Sequence, residues 1–327
     1  MKSIFLTACI LFFLDGAFGH PAWGMAIDPS GAIYFPDIGH NGRGTLWKYK
    51  PDGTLIAVFK NFHCHSASVD AWGNIYAAHG EDQHYLVKIS PEGRVDTVFY
   101  TTDLQTFYGG NCTVSPAGKI YFGLNKTVYR LEAGAPHRVS RCSIEWNQLL
   151  FTDAQENLYA TDIGVGNGVL YRIDSSGNCT QIADDLISHL NRPKDKHNDI
   201  LLGGTVDVSG NVYLCELAGK RIFKIAPDGS KSVVYTSEGD WFPAALTFHD
   251  GKLFILENGT SDNPGPRLSR MNSAGEREEL VNADRYAPPQ QQEADQGHIQ
   301  EPTSTLWGWT FLGLGLLALF IFMLKRR

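Results

Sequence analysis

His63, Cys64 and His65 stand consecutively in FHCHSASVD, residues 62–70. Each of the three side chains can ligate a metal. Neutral imidazole suits Zn, Cu or Ni, and three convergent imidazoles suffice for a catalytic zinc. An HxH pair on a strand turns both rings to one side and the intervening thiol to the other. His197, in SHLNRPKDKHND, is the candidate third ligand; His79 and His20 lie elsewhere along the chain. Packed or hydrogen-bonded histidines are the competing account of these rings. Hydrolase or lyase chemistry also needs a general base, and Glu216 and Glu257 are the carboxylates in candidate positions. Trp23, Tyr108, Trp146 and Trp241 offer ring faces for stacking on a sugar or flat ligand. Asn147, Asn198 and Asp240 lie beside them as polar binding groups.

These residues must be positioned by short strands, because the body shows no long helical period. One phrase recurs: AIDPSGAIYFPD, SVDAWGNIYAAH, TVSPAGKIYFGL, LFTDAQENLYATD, TVDVSGNVYLCE and LTFHDGKLFILE. Its aromatics are Tyr34, Tyr76, Tyr121, Tyr159, Tyr213 and Phe254, at steps of 42, 45, 38, 54 and 41 residues. A second phrase, a basic residue behind two mostly apolar ones, follows each time and places Lys48, Lys88, Arg130, Arg172, Lys224 and Arg270. Gly-marked turns come next. Four short strands per unit at a period in the forties is the signature of a β-propeller blade. Six copies predict an all-β, six-bladed β-propeller over residues 20–281, with blades at about 22–61, 62–106, 107–145, 146–197, 198–239 and 240–281. A lone blade buries neither face, so the copies close into a ring. Each repeat starts on the inner strand and ends on the outer one. Blades one and six therefore meet by side-chain packing, with no strand shared between the termini.

The phrases resemble the NHL-repeat and senescence-marker-protein/gluconolactonase propellers, streptogramin-lyase-like proteins included, over roughly residues 22–281. In that family the links between blades and the loops between second and third strands share the ligand face. The gluconolactonase relatives draw divalent-metal ligands, a Glu, Asn residues and an Asp, from the first residues of the inner strands. The matching positions here are Trp23, His65, Gly110, Gln148, Leu202 and Ala244, none of them acidic or Asn. Asn111, Asn147, Asn198 and Asp240 are near misses. Three residues past each repeat aromatic stand Asp37, His79, Leu124, Asp162, Glu216 and Glu257. The resemblance implies that Asp37 and Asp162 tie down loop backbone. It leaves Glu216 and Glu257 to face the mouth. The 54-residue step makes the link containing His197 a candidate rim or lid.

Both ends read as membrane signals. Residues 1–19 carry one Lys, an apolar run and Ala17-Phe18-Gly19, the pattern of a signal peptide cleaved to leave His20. Residues 306–324 are 19 uncharged, mostly apolar residues, long enough to span about 28 Å as a helix. Lys325, Arg326 and Arg327 form a basic tail that stays cytoplasmic. Residues 282–305, rich in Gln, Pro and acids, read as a disordered stalk. The same C-terminal stretch resembles bacterial exosortase-type sorting tails, which leaves open whether the helix is retained. The body thus lies outside the cytoplasm. Its five cysteines leave at least one unpaired, and Asn125, Asn178 and Asn258 are turn-placed sequons. A net charge of −7 with no basic block before the tail argues against nucleic acid. Three functions follow as expectations. The first is a binding propeller for a small molecule, glycan or protein. The others are a hydrolase or lyase using Zn or Ca at the same mouth, and an envelope-complex scaffold.

Overall fold

The computed structural model describes residues 22–38, 44–81, 83–188, 192–195, 198–259 and 266–282. These residues form six four-stranded antiparallel sheets, each built from four consecutive strands in chain order. The innermost strands are Ala26–Ile27, Cys64–Val69, Cys112–Val114, Asn147–Thr152, Leu201–Val206 and Trp241–His249. Each sheet ends on an outermost strand, from Leu55–Lys60 in blade one to Arg277–Asn282 in blade six. Among the described residues no strand crosses between blades. The ring closes by packing, with Met25, Ile27, Phe35 and Trp47 of blade one in one buried cluster with Ala245, Phe254, Leu256 and Leu268 of blade six.

The two recurring phrases are two halves of one cross-strand pair. The registers are Tyr34↔Lys48, Tyr76↔Lys88, Tyr121↔Arg130, Tyr159↔Arg172, Tyr213↔Lys224 and Phe254↔Arg270. In three blades the cation lies over the ring, at 4.8 Å for Lys48 on Tyr34, 5.8 Å for Lys88 on Tyr76 and 5.9 Å for Lys224 on Tyr213. The turn before each aromatic is a self-contained hydrogen-bond unit. Asp70 Oδ1 accepts the Trp72 and Asn74 amides, and Asp70 Oδ2 accepts Asn74 Nδ2 at 2.7 Å and the Tyr76 hydroxyl at 3.1 Å. Asp153 with Asn157 and Tyr159, and Asp207 with Asn211 and Tyr213, repeat the unit. Burial pushes the Tyr76 and Tyr213 phenols up to about 12, with the partner aspartate adding to it. The hydroxyl therefore remains a donor. Removing it in Tyr159→Phe is expected to cost about 1.5–3 kcal/mol in urea unfolding, the range for a hydrogen bond to a charged acceptor. The turn's fourth residue is Gly73 or Gly210 at positive φ (79° and 80°), but Glu156 at 64° in blade four. Glu156 is held there by accepting Ser115 Oγ at 2.8 Å and the Ala117 amide at 2.7 Å from blade three.

Among the described residues one disulfide, Cys142–Cys179, ties the link entering blade four to that blade's outer strand across a separation of 37 residues. Cys64, Cys112 and Cys215 are free and buried. A closed loop of this length constrains the unfolded chain by about 3–4 kcal/mol in the chain-entropy account. The double variant Cys142→Ala/Cys179→Ala is expected to lose about that much, read by denaturant midpoint, with no change in the fold.

The expected signal peptide, helix and basic tail, and the stalk beyond Asn282, lie outside the described residues. Among the described residues no helix is long and apolar enough to cross a membrane.

Candidate functional site

The inner strands surround a channel of about 310 Å³, lined by Trp23, Ser66, Ser68, Thr113, Leu149, Phe151, Thr205 and Thr247 among others. It runs towards the Pro116 and Asp153–Ala154 turns, and none of His63, His65, Glu81, Trp146 or Trp241 lines it. At the opposite end, where the inner strands enter, a repeated irregularity sets the side chains. In blade two Cys64 pairs with His79 and Ala67 with Ala77, so His65 and Ser66 oppose a single residue. Blade four does the same at Gln148–Leu149 and blade five at Leu202–Gly203. Such a bulge bends the strand and re-aims a side chain. His65, Gln148 and Leu202 therefore sit at equivalent positions of the mouth.

In blades two, four, five and six the residue three past the repeat aromatic anchors the incoming link. Asp162 accepts the amides of Glu145 (2.8 Å), Trp146 (3.0 Å) and Gly164 (2.8 Å). His79 holds the corresponding place in blade two, its Nδ1 accepting the His63 amide at 3.0 Å. Glu216 accepts the Ser188 and Gly219 amides, each at 2.9 Å, and Arg221 Nε at 2.8 Å. Glu257 accepts the Tyr235 hydroxyl, Ser237 Oγ at 2.6 Å, Arg267 Nε at 2.8 Å and Arg277 Nη1 at 2.8 Å. Both glutamates are fully buried. Their oxygens are committed to backbone, hydroxyls and guanidinium groups. The geometry gives Glu216 and Glu257 clamp roles, where the sequence suggested a base at the mouth. A buried carboxylate needs such a donor set to stay ionised.

Around His63 and His65 the structure builds a polar chain. Glu81 Oε2 lies 3.2 Å from His63 Nδ1. His63 Nε2 lies 2.9 Å from His65 Nε2, and His65 Nδ1 donates to the Gly110 carbonyl at 2.9 Å. His65 is buried, and the Trp23 ring covers it at 4.4 Å between centroids. Cys64 points the other way into the core, where burial pushes its thiol up to about 12 and makes it a poor nucleophile. His79 stacks on Tyr85 at 4.7 Å, and burial holds its imidazole below the ordinary value. His84, buried beside Tyr108, accepts the Gly109 amide through Nδ1 at 3.0 Å. A Cβ on Gly109 would collide with the His79 carbonyl, and one on Gly110 would reach within 2.6 Å of the Tyr108 ring. Only a Gly-Gly pair lets this link lie flush and present the Gly110 carbonyl to His65.

Burial also holds the His84 imidazole below its ordinary 6.5. The unfolded chain therefore takes up this proton at a higher pH than the folded one. The stability His84 contributes is complete above about pH 6.5 and is lost as pH falls through the folded value. The drop in melting temperature between about pH 7.5 and about pH 5.5 is expected to be smaller in His84→Gln than in wild type. Equal slopes would rule this out.

The other sequence candidates are dispersed around the same face. Trp146 is 36% exposed, its Nε1 donating to Gln148 Oε1 at 3.2 Å. Trp241 carries the Arg267 guanidinium over its ring at 4.5 Å. Asn147 Nδ2 donates to the Leu149 and Thr161 carbonyls, while its Oδ1 accepts Asn111 Nδ2. Asn198 Nδ2 donates to Asp195 in an exposed turn, and Asp240 is exposed. Tyr108 is half-buried against His84. His197 and His20 lie outside the described residues. The oxygen-ligand metal site that the family resemblance implies does not fit the mouth. No carboxylate stands at its six positions; Asn147 is spent on Asn111 Nδ2 and on backbone, which leaves Asn111 Oδ1, buried without a hydrogen-bond partner, as a lone oxygen there. Among the described residues no three His, Cys, Asp or Glu side chains are grouped to hold a metal ion. Glu81 and the Gly110 carbonyl were missed at the sequence level. The signal was there in AAHGEDQHY, where the second strand, Ile75–Glu81, runs seven residues against five for its counterparts in blades one and three.

No protein-family model matches the chain, and no curated protein matches it. Solved structures do. Virginiamycin B lyase from Staphylococcus aureus is 16% identical, covering 81% of this chain and 86% of that one with a TM-score of 0.53. A gluconolactonase from Xanthomonas campestris is 17% identical, covering 76% and 86% with a TM-score of 0.54. A luciferin-regenerating enzyme is 16% identical, covering 73% and 85% with a TM-score of 0.52. At these identities the likeness carries the fold: the chain is a six-bladed β-propeller of the architecture found in streptogramin B lyase and gluconolactonase.

Proposed function

We propose that the chain is a membrane-anchored, extracytoplasmic propeller that binds a small molecule or glycan at its channel mouth, on the face made by links and second-to-third-strand loops. The observation that carries this is the pairing of a polar chain, exposed Glu81 with half-buried His63 and buried His65 under Trp23, with exposed ring surface at Trp146 on the same face. Ligand sites combine a few fixed polar groups with aromatic side chains. The apolar run at 306–324 with its basic tail supports anchoring, and the disulfide suits an oxidising compartment. A thermal-shift screen of sugars, lactones and flat heterocycles is expected to give a hit whose shift is lost in Trp146→Ala and His65→Ala. A hit unaffected by both variants would place binding elsewhere and contradict the reading.

A second reading, a metal-dependent hydrolase or lyase at the same mouth, is favoured by the convergent His63–His65 pair. The test is a screen of lactone and phosphotriester hydrolysis with added Zn²⁺, Ca²⁺ and Mn²⁺. Turnover abolished by His65→Ala supports it; turnover no faster in wild type than in that variant removes it.

A further inference from the structure

We infer that a cleft between blades five and six is a second binding site, for a small carboxylate with an apolar body. The cleft measures about 710 Å³, within the size range of small-molecule sites. It lies on the face opposite the mouth, among the turns at 207–210, 249–251 and 272–275. Its origin is a shortened turn. In blades one to five, five residues separate the last paired residues of the first two strands, as between Val206 and Val212. Blade six has four between Phe248 and Leu253, and two of them, His249 and Lys252, pair with each other. Asp250 and Gly251 remain as a two-residue hairpin, both at positive φ (48° and 71°). Neighbouring turns elsewhere are bridged. Ala71 donates its amide to the Pro116 carbonyl at 2.8 Å between blades two and three, and Glu156 accepts from Ser115 and Ala117 between blades three and four. Among the described residues no hydrogen bond links the turns of blades five and six, and Val208 stands fully exposed at the lip.

The lining sets the ligand class. Val234, Phe248 and Met271 present half-buried apolar surface, and Phe248 meets the Tyr213 ring edge-on at 4.9 Å. A thioether beside such rings adapts to a flat or branched body. Lys224 is the single lysine or arginine of the lining. Its counterpart in blade one, Lys48, reaches Asp28 at 3.7 Å. Among the described residues Lys224 makes no hydrogen bond or ion pair, and its amine lies 5.9 Å from the Tyr213 ring centre. Asp207, on the same lining, serves its own turn: Oδ1 accepts the Ser209 and Asn211 amides, and Oδ2 accepts Asn211 Nδ2 and the Tyr213 hydroxyl. Asp250 stands on the exposed rim, 3.5 Å from His249 Nε2. An ammonium without a counter-charge, set beside apolar walls, takes a carboxylate by a charge-assisted hydrogen bond. An apolar body on that carboxylate then covers Val234, Phe248 and Met271, which a bare anion would leave wet.

The site stands apart from the mouth, so it and the proposed binding role fail separately. Loss of the mouth's ligand in Trp146→Ala reads that role; loss of the carboxylate in Lys224→Met reads this one. The test titrates the full-length chain in phosphatidylcholine nanodiscs with 4-phenylbutyrate by calorimetry, with empty nanodiscs subtracted. One ligand per chain is expected, with the uncharged 4-phenylbutan-1-ol at least about tenfold weaker. Lys224→Met should weaken binding by at least about tenfold, the scale of a hydrogen bond to a charged group, and Lys224→Arg should restore most of it. Val208→Glu, at a side chain with no packing to lose, puts a like charge at the lip and should weaken binding as well. Lys88→Met removes the same lysine–tyrosine pairing in blade two and should leave affinity unchanged. No binding, equal affinity for the acid and the alcohol, unchanged affinity in Lys224→Met or Val208→Glu, or an equal loss in Lys88→Met would each overturn the site.

Discussion

Glu257→Ala is expected to destabilise the propeller by about 3–5 kcal/mol, the penalty for removing one partner of a buried charge cluster. Glu257 is fully buried and accepts from Tyr235, Ser237, Arg267 and Arg277. Arg267 and Arg277 belong to blade six, whereas Tyr235 and Ser237 come from the last strand of blade five and the link beyond it. One carboxylate thus joins two blades and neutralises two guanidinium groups, and Arg267 keeps only 11% of its side chain exposed. Alanine leaves both cations facing each other with no counter-charge. Urea unfolding followed by tryptophan fluorescence reads the loss. A drop under about 1 kcal/mol, the size of an exposed pair, would mean that water already screens the cluster. Replacing Glu257, Arg267 and Arg277 together by apolar residues of similar volume should recover much of the loss, because no unpaired charge then remains.

Trp23→Ala is expected to cost about 3–5 kcal/mol, the usual range for truncating a large buried aromatic. Trp23 is 4% exposed, lies tilted against the His65 ring and donates its backbone N–H to the His65 carbonyl at 2.8 Å. Its buried cluster is that of Leu149, Leu202, Phe242 and Ala244 in blades four to six, not that of the rest of blade one. The indole therefore reaches across the mouth from the first blade and packs against the far side of the ring. Removing it opens a cavity above the channel and exposes the His65 ring. The melting temperature should fall, and the His65 ring should become accessible to diethylpyrocarbonate. A stable variant with His65 still protected would show that neighbouring chain closes the gap.

The fold was legible because its two recurring phrases encode direct contacts. A tyrosine and a basic residue paired across adjacent strands must recur at a fixed distance. An aspartate that caps its own turn and takes the tyrosine hydroxyl must precede that tyrosine by six residues, as Asp70, Asp153 and Asp207 do. Closure without strand exchange followed from where the repeat begins. The convergence of His63 with His65 was legible too, from the HxH spacing alone. The roles of Glu216 and Glu257 were not. Each is decided by partners 28 residues upstream, at Ser188, or 20 residues away, at Ser237 and Arg277. Nothing in the repeat marks which arginine a blade-end carboxylate will meet. Glu81 was hidden for a different reason. It lies on an extension of the second strand that the counterparts in blades one, three, four and five lack, so comparing repeats discards it. The mouth itself depends on bulges, and a bulge leaves no mark in a pattern read two residues at a time.

The most direct measurement is a crystal structure of the protein with a hit from the thermal-shift screen. Density for the ligand is expected against the Trp146 ring and the His63–His65 pair. Density confined to the opposite end of the channel, at the Pro116 and Asp153 turns, would contradict the binding role.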